Sequence, residues 1–499
     1  MRYFGALIVL VLAVFGIFFG LLFTEPGNKI LQPYIEKEIQ KQLPVPAKLE
    51  RFRLHPDSFD IALQIGRDSV VKANGNFDIM EQSIDADYLI NIHELSDLKK
   101  LTGQTLYGPF QTKGHLQGTQ KSAALQGDAQ LAGGFIDYLV GLKMFQPKKI
   151  IAKAANLRVD KLLETVGKPP YSSGFLDIQA KITHIEKNRL RGKLLSTLKK
   201  GIVDADSVAK DFNITLPSAL HYHLRTATLL QNETATTQIR LESNIANVRC
   251  DEMRYHLPKQ ALESDYIIEI PDLNKLRFVT HRPMKGAITV TGDVQTSPGN
   301  LLVTAHSDLL NGAFDAKLAD NTLHATLKNI QTVALTDMLL YPHIFDSKAN
   351  VTLDYRLLTQ KGELNALLLN GQILPNRMSF LLQQMANFDI TKEIYKKTTL
   401  KTKIEGKKLL SDLHMKSRLT DLSATNALVN LENNTIDTVL NVIIKKLTIP
   451  VSFKGALDKP KISIDARDLA KARAKKELEK RLPAQLKNSP AGDVIKKLF

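Results

Sequence analysis

The residues best suited to chemistry are two histidines, His221 and His223, which flank Tyr222. In an extended strand, residues two apart project on the same side, so both imidazoles point the same way, as two ligands of one metal ion would. A metal site needs further ligands, and no third candidate stands nearby in the sequence. A solvent-facing pair on an ordinary strand is the favoured interpretation, and we predict no metal site.

Other catalytic signatures are missing. The sequence contains no GxxxxGK[ST] phosphate loop, no GxSxG nucleophile elbow, no HExxH and no CxxC. The acidic residues Asp204 and Asp206 fit ordinary turn and surface positions. We therefore expect a protein that is not an enzyme and that needs no cofactor.

Strands with one apolar and one polar side account for most of the chain. Apolar residues recur at every second position over 59–65, 84–92, 314–318, 323–327 and 349–357. This period of two is typical of half-buried β-strands. Three turn pairs, Asn74-Gly75, Asn311-Gly312 and Asp320-Asn321, are predicted to separate strands, and such short turns favour antiparallel meanders.

An apolar segment at the N-terminus predicts a membrane anchor. From Phe4 to Phe23 no residue is charged, and about 20 such residues cross a bilayer as a helix. Arg2 precedes the segment and Glu25 follows it, so the N-terminus is expected in the cytoplasm and the rest of the chain across the membrane. A cleaved signal peptide is the alternative, but no small-x-small site precedes Pro26. The anchor residues are Phe4, Leu7, Leu10, Phe15, Phe18 and Phe23.

The composition describes a folded, basic chain. Its 499 residues exceed the roughly 250–300 at which one core stops growing, so we expect several domains or one repetitive structure. A net charge of +16 favours an anionic partner, and the anchor favours a membrane surface over nucleic acid. Charge spread over a large soluble face is the alternative. The single cysteine, Cys250, excludes an internal disulfide.

Helices are predicted only at the ends and in short interruptions. Residues 25–46 have apolar side chains at helical spacing, so this stretch is expected to lie against the membrane or to cap the next domain. Short helices are predicted at 97–101, 160–163 and 377–385. Beyond Ala466, ten basic residues against four acidic ones predict a basic C-terminal helix and tail.

An internal repeat is indicated by four landmarks in the same order. Residues 87–92 and 96–101 return at 265–270 and 271–276. Asn156-Leu157 matches Asn329-Ile330, with Asp160, Leu162 and Leu163 matching Asp337, Leu339 and Leu340. Residues 211–214 match 387–390, and the offsets run from 173 to 178. Duplication of this kind extends a structure along one axis. A third copy of the first strand is predicted at 436–444.

The segment 449–465 resembles the closing motif of the AsmA-like family, which consists of a strand, a Gly-x-Leu-x-x-Pro turn, a second strand and an Asp. The matching residues are Gly455, Leu457, Pro460 and Asp465. The family is related in architecture to TamB and to chorein-type proteins, which are bridge-like lipid transfer proteins. The resemblance implies an antiparallel sheet curled into an open apolar groove that holds acyl chains. From periodicity alone, a sandwich of two sheets is favoured instead.

Together these observations predict a mainly β fold with short α segments. An N-terminal transmembrane helix precedes an elongated antiparallel β-sheet, which is built from internal repeats, curls into the open apolar groove and ends in a basic C-terminal helix. The expected segments are 1–24 (anchor), 25–46 (amphipathic helix), 47–260 and 261–435 (repeats), 436–465 (closing strands) and 466–499 (basic helix and tail). The groove candidates are Phe59, Ile61, Leu63, Ile65, Ile84, Tyr88, Ile90, Tyr266, Ile268, Val351, Leu353 and Tyr355.

The resemblance implies a single-pass protein of the bacterial inner membrane, with the bulk of the chain in the periplasm. Its expected partners are phospholipids, the inner membrane, and the outer membrane or an outer-membrane protein at the C-terminal end. Transport of phospholipid toward the outer membrane is the first functional hypothesis. A scaffold that assists assembly of outer-membrane proteins is the second, and an enzyme acting on envelope lipid or glycan is the third.

Overall fold

The computed structural model describes residues 23–42, 45–144, 146–186, 189–216, 219–445 and 447–464. The predicted anchor up to Leu22, the motif residue Asp465 and the basic tail lie outside these ranges. The chain divides into two compact units between Ala261 and Leu262. Both are mainly β and consist of antiparallel strands, each paired with the next along the chain.

The first unit contains an open antiparallel sheet. Its strands are β1 (Ala47–Leu54), β2 (Ser58–Ile65), β3 (Ser69–Asp78), β4 (Ser83–Ile92), β5 (Phe110–Thr119), β6 (Ser122–Leu131), β7 (Gly134–Lys143), β8 (Gln146–Arg158), β9 (Ser172–Glu186), β10 (Arg189–Val203), β11 (His221–Asn232), β12 (Thr234–Ser243) and β13 (Asn247–His256).

The second unit has the same kind of sheet. Its strands are β14 (Ala261–Ile270), β15 (Ile288–Ser297), β16 (Asn300–Leu309), β17 (Gly312–Ala319), β18 (Thr322–Gln331), β19 (Phe345–Arg356), β20 (Lys361–Ile373), β21 (Ile394–Glu405), β22 (Lys408–Lys416), β23 (Thr420–Asn430), β24 (Thr435–Ile444), β25 (Leu447–Ala456) and β26 (Lys461–Ile464). The strands predicted from alternation are confirmed as β2, β4, β17, β18 and β19.

Short helices interrupt both sheets. The α-helices are α1 (Glu25–Gln42), α2 (Lys99–Thr102), α3 (Val159–Thr165), α4 (Ala205–Phe212), α5 (Arg277–Thr280), α6 (Thr332–Met338) and α7 (Arg377–Ala386). Single 3₁₀ turns occur at Leu95–Leu98, Leu273–Leu276 and Ile390–Lys392. The three short helices predicted from sequence correspond to α2 with its preceding turn, α3 and α7. Helices α4, α5 and α6 were not predicted.

The order of elements recurs in the two units. From β4, the chain forms a strand, a 3₁₀ turn with a helix, four strands, a helix, two strands, a helix and three strands, and the same order begins again at β14. Strand β24 then follows at the position of the predicted third copy. The repeat inferred from the landmarks is therefore present as a repeat of secondary structure.

The landmark Asn156 and its counterpart Asn329 mark the same backbone feature. Both adopt the left-handed conformation, with φ of 57° and 54°. The N–H of Asn156 donates to Asp177 Oδ1 at 2.9 Å, and that of Asn329 donates to Asn350 Oδ1 at 2.9 Å. The register of each ladder shifts here, as expected for a β-bulge. These two residues are thus structural equivalents.

Two other landmark matches are out of register. Helices α3 and α6 begin at Val159 and Thr332, which keeps the spacing of the bulges, so Asp160 in the first turn of α3 is not equivalent to Asp337 near the end of α6. The sequence match of 211–214 with 387–390 is also two positions out of register. The left-handed residues that end α4 and α7 are Asn213 and Asn387, so Asn387 is equivalent to Asn213 and not to residue 211. The positions at which the helices begin and end, and not the repeated residue types, therefore define which residues of the two repeats are equivalent.

The predicted turn at Asn74-Gly75 is wrong. Both residues lie inside β3, where Gly75 pairs with Phe59 on one side and Ala86 on the other. A Cβ on Gly75 would lie 2.2 Å from the carbonyl oxygen of Asp85, so glycine serves close strand contact here and not a turn. The turn predicted at Asn311-Gly312 lies one residue earlier, at 310–311, and Gly312 begins β17, whereas the turn at Asp320-Asn321 is confirmed.

Helix α1 caps the outer edge of the first sheet. Asn28, Gln32, Glu36 and Gln40 recur every four residues and hydrogen-bond the backbone of β1 and of the residues next to it. Asn28 is 4% exposed, donates to the carbonyl oxygen of Leu54 at 3.1 Å, and accepts from its N–H at 3.2 Å. The edge strand thereby receives the partners that a further strand would supply.

Helix α7 covers the end of the second sheet. Met378 and Leu382 pack with apolar residues of β20 to β25 into a buried cluster in which Leu382 and Tyr395 are fully buried. The Tyr395 hydroxyl lies 2.8 Å from Thr420 Oγ1, and burial raises its pKa to about 12. In the first unit, the equivalent helix α4 buries none of its side chains.

We predict that Leu382→Ala destabilises the end of the second sheet by about 2–5 kcal/mol, because it leaves a cavity in a packed cluster. Hydrogen–deuterium exchange of the β24 and β25 amides should accelerate accordingly. The control is Phe212→Ala in the equivalent helix α4, where the ring is 60% exposed. Equal acceleration by both variants in their own sheets would contradict this account of α7.

Candidate functional site

In the first unit, apolar side chains form one continuous face. Residues paired directly across an antiparallel ladder project on the same side. One such row crosses successive strands through Leu63, Val71, Ile90, Thr112, Ala129, Ile136, Ala154 and Ile178. The candidates Phe59, Ile61, Leu63, Ile65, Ile84, Tyr88 and Ile90 all lie on this face. The structure therefore brings them together.

The second unit repeats the arrangement. A row runs through Val294, Val303, Leu318, Leu323 and Tyr355. The candidates Val351, Leu353 and Tyr355 share this side with Tyr266 and Ile268, whose row partners are Gly292 and Val290. Each group of candidates therefore lies on the apolar face of its own unit.

The apolar face is half-buried without a second layer. Of the twelve candidates, Ile65 is buried and the others are partly exposed. Within the described ranges, no second sheet packs on this face of either unit, and the helices contact strand ends and edges, apart from α7. The sandwich of two sheets, which periodicity alone favours, is therefore not formed by these residues. A folded domain normally covers an apolar sheet face of this extent with a second layer of structure.

Tyrosine side chains extend over glycines on this face. The rings of Tyr88 and Tyr138 approach each other above Gly114 and Gly127, with 2.5 Å between their hydroxyl oxygens. Thr112 Oγ1 lies 2.6 Å from the Tyr138 hydroxyl, and burial is the main cause that raises the pKa of Tyr88. The glycines leave the space that the rings occupy.

The second unit keeps half of this arrangement. Tyr266 lies over Gly292 and donates to the carbonyl oxygen of Thr304 at 2.6 Å. The interval in sequence from Tyr88 to Tyr266 equals that from Gly114 to Gly292, so the two pairs are equivalent in the repeat. At the position equivalent to Tyr138, the second unit has Ala316. The sequence pattern singles out Tyr88 and Tyr266 as candidates, but not their glycine partners.

Pairs of hydroxyl side chains also lie on the apolar face. Thr228 Oγ1 is 2.9 Å from Thr237 Oγ1 in the first unit, and Thr402 Oγ1 is 2.9 Å from Ser411 Oγ in the second. Both pairs join the two strands that follow the third helix of the repeat, so they occupy equivalent positions. Sequence analysis missed them, because Thr is common on either side of a strand.

The polar sides of the sheets hold charged depressions. One of about 800 Å³ lies over β4 to β8 and includes Asp87 and His115, and one of about 750 Å³ lies at the equivalent place in the second unit. Some of their charges are paired within the protein, as in His306 with Asp315 at 2.7 Å, which raises the pKa of His306. Among the described residues, no cluster of three metal-ligating side chains occurs.

The histidine pair His221 and His223 lies on β11, away from these depressions. His223 Nε2 accepts a hydrogen bond from Arg225 Nε at 2.9 Å, so this ring is engaged by a neighbouring cation. The intervening Tyr222 lies on the opposite side, where its hydroxyl is 2.6 Å from Ser172 Oγ. The two histidines therefore fit a polar strand surface.

The residues of the closing motif form the predicted strand, turn and strand. Gly455 lies in β25 with φ of 101°, and Leu457 and Pro460 form the turn into β26. The N–H of Leu457 donates to the carbonyl oxygen of Asn434 at 2.9 Å, which ties the turn to the preceding hairpin. Positive φ explains the glycine at 455.

Helix α1 presents two of its apolar residues outward. Ile30 is 64% exposed and Tyr34 is 71% exposed, on the side opposite the stripe that binds β1. Lys29, Lys37 and Lys41 line a depression along this helix. Within the described part of the chain, no helix is long and apolar enough to cross a membrane.

The tyrosines above the glycines make a testable contact. Gly127→Ala should cost about 1–3 kcal/mol of unfolding free energy, because its Cβ would lie 2.4 Å from the Lys113 carbonyl oxygen and 2.6 Å from the Tyr88 hydroxyl. The control is Gly141→Ala on β7, where the nearest atom is Lys149 Cβ at 3.4 Å. Chemical denaturation should show a loss for the first variant only, and equal stability of the two would refute the contact.

Comparison with known proteins adds no relative. No protein-family model matches the chain, and no significant match was found among curated proteins or solved structures.

Proposed function

We propose that this chain is a membrane-anchored, non-enzymatic protein that carries phospholipid along the apolar faces of its sheets. The observation that carries the proposal is the uncovered apolar face in each unit, which continues from strand to strand through directly paired residues. Such a face needs an apolar partner, and acyl chains supply one. The resemblance of 449–465 to the AsmA-like motif supports the same function.

The energetics favour a mobile ligand over a fixed one. Covering one methylene is worth about 0.8 kcal/mol, so a 16-carbon chain gains on the order of 10 kcal/mol. An acyl chain gains a similar free energy in a bilayer, so a lipid can exchange between the bilayer and the apolar face. Because the face has similar aliphatic side chains on successive strands, no single position holds the chain much more tightly than the next.

Membrane attachment is the second part of the proposal. The apolar sequence from Phe4 to Phe23 stands directly before α1, whose outward side combines Ile30 and Tyr34 with basic residues. A helix with its polar stripe against the protein and apolar residues outward suits a lipid surface. The proposed location is the bacterial inner membrane, with residues after Thr24 in the periplasm and lipid moving toward the outer membrane.

A scaffold for outer-membrane protein assembly is the second candidate. The observation that favours it is the buried cluster under α7, where the C-terminal end of the apolar face of the second unit is closed by protein. A closed end offers no room for an acyl chain and suits contact with another protein. In this alternative, the C-terminal strands are a docking site and the open faces serve another purpose.

Substitution of single residues on the face tests transport. Leu353→Asp and Ile268→Asp should abolish lipid passage, because an unpaired carboxylate among acyl chains is costly to desolvate. The measurement is mass spectrometry of lipid co-purifying with the full chain, together with transfer between labelled vesicles. Matched controls are Thr352→Asp, the exposed neighbour of Leu353 on the opposite side, and Lys401→Asp. Both should behave as wild type.

Photo-crosslinking provides a test that does not depend on charged substitutions. A photoreactive residue at Ile90, Ile268 or Leu353 should capture phospholipid in cells, whereas one at Thr352 should not. If the three positions on the apolar face capture only protein, the transport proposal is wrong and the scaffold takes its place.

The anchor has its own test. A reporter fused after Phe499 should be active in the periplasm, and the protein should stay in the membrane fraction after alkaline washing. Release by the wash, or a mature N-terminus after Thr24, would exclude an uncleaved anchor.

A further inference from the structure

The apolar faces contain paired hydroxyls at equivalent positions of the two units. In the first unit the pair is Thr228 with Thr237, and in the second it is Thr402 with Ser411. The pairs correspond by position, 228 to 402 and 237 to 411, which is the same shift for both members. A packing preference for threonine does not by itself explain a hydroxyl pair kept in both copies, with serine in place of one threonine.

The surroundings of the pairs are aliphatic. Thr228 lies opposite Leu194 and Thr237 lies opposite Met253, while Leu364 faces Thr402 and Ala427 faces Ser411. Thr237 and Thr402 are 9% and 7% exposed, although the face as a whole is only half-buried. Their partners Thr228 and Ser411 are partly exposed. Each pair is therefore a small polar spot within an apolar surface, with one buried and one accessible hydroxyl.

Each pair has one proton more than it uses. Two hydroxyls carry two donor protons, and the bond between them consumes one. Among the described residues, these four oxygens make no other hydrogen bond. In the first unit a second pair, Ser196 Oγ and Thr226 Oγ1 at 2.7 Å, lies beside Thr228. A spare donor surrounded by apolar side chains favours a ligand with a neutral acceptor.

A buried threonine on the same strand shows the same surplus. Thr398 lies four positions before Thr402 on the apolar side of β21 and is 2% exposed. Its Oγ1 has no hydrogen-bond partner among the described residues. Thr398 pairs with Met415 in the cluster under α7, so its spare donor faces protein, whereas the spare donors of the hydroxyl pairs lie outside that cluster.

Resting on the proposed function, we infer that each hydroxyl pair donates its spare proton to the ester carbonyl oxygen of an acyl lipid. A phosphate is too strongly hydrated to lie among Leu and Met side chains, whereas the ester carbonyl is the neutral acceptor that sits next to the acyl chain. The pairs therefore favour ester-linked lipids over ether-linked lipids with the same headgroup and chain length.

The experiment offers the full-length protein mixed vesicles with equal amounts of two phosphatidylglycerols. Both have 16-carbon chains, but one is ester-linked and the other is ether-linked. Bound lipid is quantified by mass spectrometry. Wild type should enrich the ester form about fivefold, the factor that one ordinary hydrogen bond provides. A ratio of one in the wild type overturns the inference, although total lipid binding then still supports the proposed function.

A combined variant locates the effect. Thr228→Val, Thr237→Val, Thr402→Val and Ser411→Ala together remove the hydroxyls with little change of shape, so the ratio should fall to about one while the variant still binds lipid. The control variant carries Thr197→Val and Thr399→Val on the polar side of β10 and β21 and should keep the wild-type ratio. A fivefold ratio in the combined variant overturns the inference, and wild type without any bound lipid overturns both proposals.

Discussion

The register of the antiparallel ladders is the constraint on which both units depend. Side chains alternate between the two sides of a strand, so a slip of one residue would move every apolar side chain of that strand to the polar side. The bulges at Asn156 and Asn329 show how the face is kept through an irregularity. Ala154 and Leu157 lie three positions apart, yet the bulge leaves both buried on the same side. Ile330 is fully buried in the same way after Leu327.

The two units use the same element order but treat the apolar face differently after the third helix. Helix α7 carries Met378 and Leu382, which close the C-terminal end of the apolar face of the second unit with protein. Helix α4, in the same place, has the sequence ADSVAKDF, and its apolar residues, among them Val208 and Phe212, are not buried. Covering a face by a helix and leaving it for a ligand are two solutions to one problem. The choice between them is made by a few residues in one short helix.

Sequence reasoning recovered the strands and the repeat because the period of two persists over many residues. It also recovered the helix at 377–385, now α7 with its capping box from Asn376 and Ser379, but not the role of that helix as a cover. Helix α4 was missed because its eight residues form too few turns for a helical period to stand out.

Contacts between distant strands were beyond the reach of sequence patterns. Asn74-Gly75 has the sequence of a hairpin turn, but it lies inside β3, because the strand needs a glycine where it passes between Phe59 and Ala86. The tyrosine above Gly114 and the hydroxyl pair of Thr228 and Thr237 depend on cross-strand register, which single-strand periodicity does not fix. The candidates of the apolar face could be chosen by type, whereas the polar positions among them could not.

The edge-capping stripe of α1 has a consequence for assembly. An exposed edge strand recruits strands from other chains, and a sheet that adds copies head to tail grows into an open filament. Asn28 and Gln40 each hold both a donor and an acceptor of the backbone along the edge of β1, so an incoming strand would have to displace the helix. Polymerisation through this edge is thereby opposed. A protein made largely of exposed sheet thus has a built-in terminator at its first strand.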